Sequence, residues 1–180
     1  HADHLPGRLR DKALRALAVG RRWLRPLPAP APRDETQEGG DWEAVFATED
    51  PWNYHNTYEQ AKYARTLGLL AGRRFGRALE LACAEGLFTV QLAPQVDRLT
   101  AADISRTALE RARHRCAAAG LANVRFEEID FFNAGFGRGW DLIVASEVLY
   151  YMGSPETVAR FAARVADALC DGGLFLHAHA

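Results

Sequence analysis

Leu79-Glu80-Leu81-Ala82-Cys83-Ala84-Glu85-Gly86 is the stretch on which the fold turns. It begins inside a short apolar run, Ala78–Ala82, that reads as a strand. It leaves that run through small residues and enters a helix over Gly86–Ala93, stopped near Pro94. Small residues let a ligand approach the backbone closely, and the start of a helix offers unpaired N–H groups. In open sheets of parallel strands, ligands gather at the carboxyl ends of the strands. Many strand–helix turns share these traits, so the neighbouring elements must carry the rest.

Downstream the alternation repeats. Arg98–Ala102 predicts a second strand ending at Asp103, which lies 17 residues beyond Gly86. Ser105 is placed to cap a helix with Leu109, Ala112 and Cys116 on one face, closed by Gly120. Val124–Ile129 and Asp141–Ala145 read as further strands. Ser154 and Pro155 open a helix whose apolar stripe is Val158, Phe161, Ala162, Val165 and Leu169. Asp171-Gly172-Gly173 then turns into a last strand, Leu174–His179. Strands alternating with amphipathic helices predict right-handed crossovers, hence an α/β, Rossmann-like, doubly wound and mainly parallel sheet with helices on both faces.

Upstream the character changes. Asp41 is placed to cap a short helix carrying Trp42, Val45 and Phe46. An aromatic turn follows, Asp50-Pro51-Trp52-Asn53-Tyr54-His55, then a helix from about Asn56 to Leu70. Before it, Leu5, Leu9, Ala13 and Leu17 recur every four residues among many arginines, which predicts a basic amphipathic helix. Pro26-Leu27-Pro28-Ala29-Pro30-Ala31-Pro32 reads as an extended spacer. Residues 1–40 are therefore expected to form a helix-plus-linker appendage, and 41–180 one domain. The appendage suits docking on a partner, a second subunit or a membrane surface, or covering an edge of its own domain.

The chain has 180 residues, 48% hydrophobic and 25% charged, with a formal net charge of −1. This balance gives no overall pull toward nucleic acid. No apolar run approaches the roughly 20 residues that span a bilayer. The three cysteines, Cys83, Cys116 and Cys170, are far apart, which argues against a disulfide framework or a metal site and for a reducing cytoplasm. The chain opens with His1 and no signal-peptide pattern.

The chemistry starts at Asp103. A carboxylate at the end of the second strand can accept from both hydroxyls of a ribose, which suits nicotinamide nucleotides and S-adenosylmethionine alike. Glu80 tips the balance. An acid before the turn would oppose a pyrophosphate, whereas it can order the loop or meet an amino group. There is also no G-x-G-x-x-G run. Asp130-Phe131 ends the third strand, where an acid can accept from an adenine amino group and an aromatic can pack on the ring.

The order of Leu79–Gly86, Asp103, Asp130 and Trp140-Asp141-Leu142-Ile143-Val144-Ala145-Ser146-Glu147 resembles the class I S-adenosylmethionine-dependent methyltransferases. Asp50-Pro51-Trp52, Tyr58-Glu59-Gln60-Ala61-Lys62-Tyr63 and Ser146-Glu147-Val148-Leu149-Tyr150-Tyr151 narrow the resemblance to the NodS-type methyltransferases, over about 41–180. That group is named for an N-methyltransferase acting on a deacetylated amino sugar. The resemblance implies a donor site of Glu80, Ala82, Cys83, Ala84, Gly86, Asp103, Ile104, Asp130, Phe131 and Ser146. Trp52 and Tyr58 are candidates for a lid, since an aromatic face suits a sulfonium cation, and Lys62 is a candidate partner of the donor carboxylate. The acceptor is then a small molecule, an amino sugar or related amine, and the product is S-adenosylhomocysteine.

The chain departs from the family pattern in two places. Ala82 and Ala84 stand where glycines are expected, and are tolerable if φ stays negative. The two closing antiparallel strands expected of the fold do not appear before Ala180, leaving an edge that needs cover. Methyl transfer from a sulfonium is an in-line displacement, so alignment matters most. An amine arriving protonated also needs a base. Glu147, after the fourth strand, is the first candidate, and His179 the second, with His177 on the same sheet face. Tyr150 and Tyr151 are candidates to line the acceptor pocket or to hydrogen-bond the nucleophile, Tyr150 as a catalytic residue. The alternatives are an O-methyltransferase, a nicotinamide-dependent oxidoreductase and a non-catalytic Rossmann-like scaffold.

Overall fold

The computed structural model describes residues 17–19, by backbone alone, and 41–178. The expected helix over residues 5–17 and the candidate His179 otherwise lie outside the described residues.

Among the described residues six strands form one sheet: β1 (Leu17–Val19), β2 (Phe75–Leu81), β3 (Val96–Asp103), β4 (Val124–Glu128), β5 (Trp140–Ser146) and β6 (Leu169–Ala178). Their order is β1-β6-β5-β2-β3-β4, and every pairing is parallel. The helices are α1 (Trp42–Val45), α2 (Thr57–Gly68), α3 (Leu87–Leu92), α4 (Arg106–Ala118) and α5 (Pro155–Ala168).

The caps anticipated from sequence at Asp41, Ser105 and Ser154 are present, and Asn56, expected only as the start of its helix, is a fourth. Asp41, Asn56, Ser105 and Ser154 each accept from a backbone N–H three residues on, at 3.0, 2.8, 3.1 and 3.2 Å. Each such cap contributes on the order of 1 kcal/mol to its helix.

The central strands are buried on both faces, as parallel strands between helical layers must be. Leu142 and Val144 of β5 face one core, with Tyr63 of α2 and Phe88 and Leu92 of α3. Ile143 and Ala145, one residue out of phase, face the other, with Phe161 and Val165 of α5.

Two expectations are corrected. Leu17 does not continue a helix: Leu17–Val19 is extended and pairs with Leu176–Ala178. The outer edge of β6 presents unpaired N–H and C=O groups, and a Leu-Ala-Val segment satisfies them best as a strand. The last strand also starts earlier than expected, at Leu169. The register jumps from Trp140↔Leu169 to Leu142↔Leu174, so residues 170–173 are accommodated as an irregularity. Gly173 permits this, since a Cβ there would sit 2.8 Å from the Trp140 carbonyl oxygen.

Candidate active site

The strand order reverses between β2 and β5, and Leu81 pairs with Ala145 at their carboxyl ends. That is the crevice where ligands bind in such sheets. The turn after β2, the end of β3 and the loop after β5 meet there.

Asp103, 5% exposed, closes the turn. Its Oδ2 accepts from the Ala84 N–H at 2.8 Å and its Oδ1 from the Ser105 N–H at 3.0 Å. Burial pushes its carboxyl up to about 6, against the pull of the Ser105, Ala84 and Ile104 amides. Each oxygen keeps a further lone pair for a ligand hydroxyl.

Glu80 is buried one strand away, and its Oε2 has no hydrogen-bond partner among the described residues. Burial drives its carboxyl up to about 8, Thr89 opposes this and Asp103 adds to it. A buried acid without a full set of partners is costly to keep. A cationic group of a ligand placed beside it would remove that cost, so the residues fit a donor that carries both an amino group and a ribose.

The turn between these acids holds a surprise. Ala82 and Ala84 have φ of +56° and +48°, so the expectation of negative φ is overturned. The backbone keeps the left-handed path that glycines would follow, because Asp103 grips the Ala84 amide and the Cys83 N–H is bound by the Ala102 carbonyl at 2.9 Å. Gly86, at φ +80°, cannot be replaced so easily: a Cβ there would lie 2.8 Å from Ala112 Cβ of α4.

Over the turn lies the aromatic segment. Trp52 packs on Phe46 and Tyr54 with ring centroids 5.4 and 5.6 Å apart, and the group rests on Ala84 and Ala108. Trp42 meets Tyr151 edge-on at 5.0 Å, joining the segment to the loop after β5. Tyr150 beside it is 47% exposed.

Glu147 follows β5 with φ +58°, half-buried. Its Oε1 lies 3.0 Å from Lys62 Nζ, which also meets Glu59 Oε2 at 2.8 Å. Lys62 is buried, which lowers its affinity for a proton, but the two carboxylates outweigh this and raise it overall. Lys62, expected on the donor carboxylate, is thus engaged with acids of its own chain, and Tyr58 lies 5.9 Å from its ammonium.

Other candidates fall elsewhere. Asp130 caps its own turn, accepting from the Phe132 N–H at 3.0 Å and Asn133 Nδ2 at 2.7 Å. Phe131 is buried against Phe132 and Phe161, so the ring expected on a ligand base is committed to the core, and the half-buried Phe132 is nearer solvent. His177 Nδ1 lies 2.9 Å from the Ala145 carbonyl oxygen and donates to it, tying β6 to β5. Ile104 and Ser146 sit half-buried at the ends of β3 and β5, and Cys83 is buried in the turn.

One residue escaped the reading from sequence. Glu85, quoted only as part of the turn, is fully buried and accepts from the Asp50 N–H and from Arg111. The available signal was an acid between two small residues, with Arg111 and Arg115 four apart on α4, beyond the next strand.

The doubly wound parallel sheet with acids closing β2 and β3 defines a Rossmann-like domain of the class I methyltransferase type. More particularly, a family model described as Nodulation protein S (NodS) matches residues 40–176, and the chain belongs to that family. It is 38% identical over 114 residues to Nodulation protein S of Bradyrhizobium diazoefficiens, covering 61% of this chain and 53% of that protein. To Nodulation protein S of Rhizobium tropici it is 34% identical over 130 residues, 71% of this chain and 54% of that protein. The chain therefore spans about half the length of these curated relatives. A solved structure of N-methyltransferase NodS from Bradyrhizobium japonicum WM9, in complex with S-adenosyl-l-homocysteine, superimposes with a TM-score of 0.67. That match has 32% identity and covers 75% of this chain and 69% of that one.

Proposed function

We propose that this domain binds S-adenosylmethionine and transfers its methyl group to the amine of a small molecule, an amino sugar or a close relative. The observation that carries the reading is the buried pair Glu80 and Asp103 at adjacent strand ends, the first with an unsatisfied oxygen and the second clasped to the turn. Membership of the NodS family supports it.

S-adenosylmethionine supplies an activated methyl group on a sulfonium. Asp103 holds ribose hydroxyls, and Glu80 meets the amino group of the methionine portion. Ile104 and Ser146 line the same rim, and Cys83 contributes the backbone of the turn beneath it. Trp52 and Tyr58 cover the site and exclude water, and an aromatic face suits a sulfonium. Glu147 faces the acceptor: it holds the incoming ammonium and takes one proton from it, leaving the nitrogen lone pair to attack. The N–C bond forms as the C–S bond breaks, and the leaving species is S-adenosylhomocysteine. Lys62 keeps Glu147 in place, and Tyr150 lines the acceptor side. Residues 1–40 are read as an appendage attached through the β1 contact on β6.

Calorimetric titration with S-adenosylhomocysteine and with NAD tests the donor. Micromolar binding of the first and none of the second is expected; the reverse would establish the oxidoreductase alternative. The acceptor is tested with a glucosamine oligosaccharide and its N-acetylated counterpart. Methylation of only the free amine is expected, and methylation of both at oxygen would overturn the assignment to nitrogen.

A further inference from the structure

Glu85 takes no part in the chemistry above, yet it is the most completely buried acid near the site, at 0% exposure. A carboxylate buried this way persists only with strong partners. It has three. Arg111 Nη1 of α4 lies 2.6 Å from Oε1, and the Asp50 N–H donates to both oxygens, at 3.1 and 3.2 Å. Arg111 also reaches the Thr48 carbonyl at 3.3 Å. The backbone of Glu85 is held as well, since Arg115 Nε donates to its carbonyl at 2.9 Å. Two arginines of α4 thus grip one residue of the donor turn, and that residue grips the aromatic segment.

What it grips is conformationally expensive. Asp50 is left-handed, at φ +46°, and so is Asn53, at φ +54°. The turn closes on itself through Asn53 N–H to the Asp50 carbonyl at 2.9 Å and Tyr54 N–H to Asp50 Oδ1 at 2.6 Å. Non-glycine residues keep such angles only when their surroundings over-determine them. The turn carries Trp52 and Tyr54 over Ala84, one residue from Glu85. Donor turn and lid therefore share a single side chain.

We propose that Glu85, with Arg111, is a positioning residue: a clamp that fixes the Asp50–Tyr54 turn as a lid on the donor turn, so that donor retention depends on it although it touches no reacting atom. The inference rests on the donor reading given above. Losing the clamp frees the lid and speeds donor escape, while the acceptor side, built on the loop after β5, keeps its geometry.

The test uses the full chain with S-adenosylhomocysteine as probe. Glu85→Gln removes the charge Arg111 binds at nearly constant shape, and Arg111→Gln removes the guanidinium from the α4 side while leaving the Asp50 N–H to Glu85 contacts available. Both are expected to raise the dissociation constant at least tenfold and to raise the donor KM, with the acceptor KM within twofold of wild type. Cleavage by a nonspecific protease between residues 46 and 56 should accelerate in both, and saturating S-adenosylhomocysteine should slow it less than in wild type. Arg111→Lys, which keeps the ion pair, should recover most of the affinity. If either variant is folded by near-ultraviolet circular dichroism and binds within twofold of wild type, the clamp is refuted. An equal rise in both KM values would refute it too, as a purely structural role predicts. Wild-type protein that fails to bind would instead sink the donor reading, which keeps the two failures apart.

Discussion

Replacing Ala82 or Ala84 by glycine separates backbone strain from packing within one turn. Both residues are left-handed, at φ +56° and +48°. An L-residue there costs roughly 1–2 kcal/mol that glycine does not. Glycine gives back about 0.4–1 kcal/mol through the greater freedom of the unfolded chain. Ala82→Gly should therefore stabilise the fold by about 0.5–1 kcal/mol. Ala84 differs in burial. Its methyl, 9% exposed, sits under Phe46 and Trp52. Losing a buried methyl costs about 0.8 kcal/mol, which cancels the backbone gain, so Ala84→Gly should be close to neutral. Urea unfolding followed by circular dichroism, with the slope held constant, measures both. The expected difference of about 0.8 kcal/mol corresponds to roughly 2–3 °C in melting temperature. A destabilising Ala82→Gly, or an Ala84→Gly more stable than Ala82→Gly, would show that the strain or the packing has been misjudged.

Stability should fall as pH rises from about 5 to 8. Glu80 and Asp103 hold protons in the folded state, to about 8 and about 6, that the unfolded chain sheds near 4.5 and 3.8, so the folded state binds more protons across that window. Glu80→Gln should flatten the upper part of the decline in a melting series against pH, and an unchanged profile would remove Glu80 from the account. Affinity for S-adenosylhomocysteine should run the other way, rising with pH up to about 8 as Glu80 becomes charged; an unaltered profile in Glu80→Gln would contradict the amino-group contact. Asp103→Ala should weaken that ligand roughly 10-fold or more, the loss expected of charged hydrogen bonds, and calorimetry that finds no change would undo the ribose assignment. Gly86→Ala puts a Cβ 2.8 Å from Ala112 Cβ at φ +80°. It should cost about 2–4 kcal/mol in chemical denaturation, whereas a loss under about 1 kcal/mol would mean that α4 shifts easily.

Much of this molecule was legible in the sequence because the signals are local. Periodicity, caps at Asp41, Ser105 and Ser154, and the acids at strand ends depend on residues a few positions apart. From these the strand–helix alternation, the parallel sheet and the places of Glu80, Asp103 and Glu147 followed. Tertiary structure decided what those side chains meet. Lys62 was read as a ligand contact, but 85 residues of chain bring Glu147 to it. Phe131 was read as a ligand ring, but the approach of α5 made it core. Leu17–Val19 became a strand because an open edge of β6 was there to pair with, which no helical periodicity can register. Glu85 carried only the mark of an acid between two small residues, since the Asp50 amide and the Arg111 guanidinium that define its role come from segments 35 and 26 residues away. Sequence set which acids stand at the ends of the strands; the packing of α4 and the aromatic turn against them determined which are left for a ligand and which are spent on holding the site together.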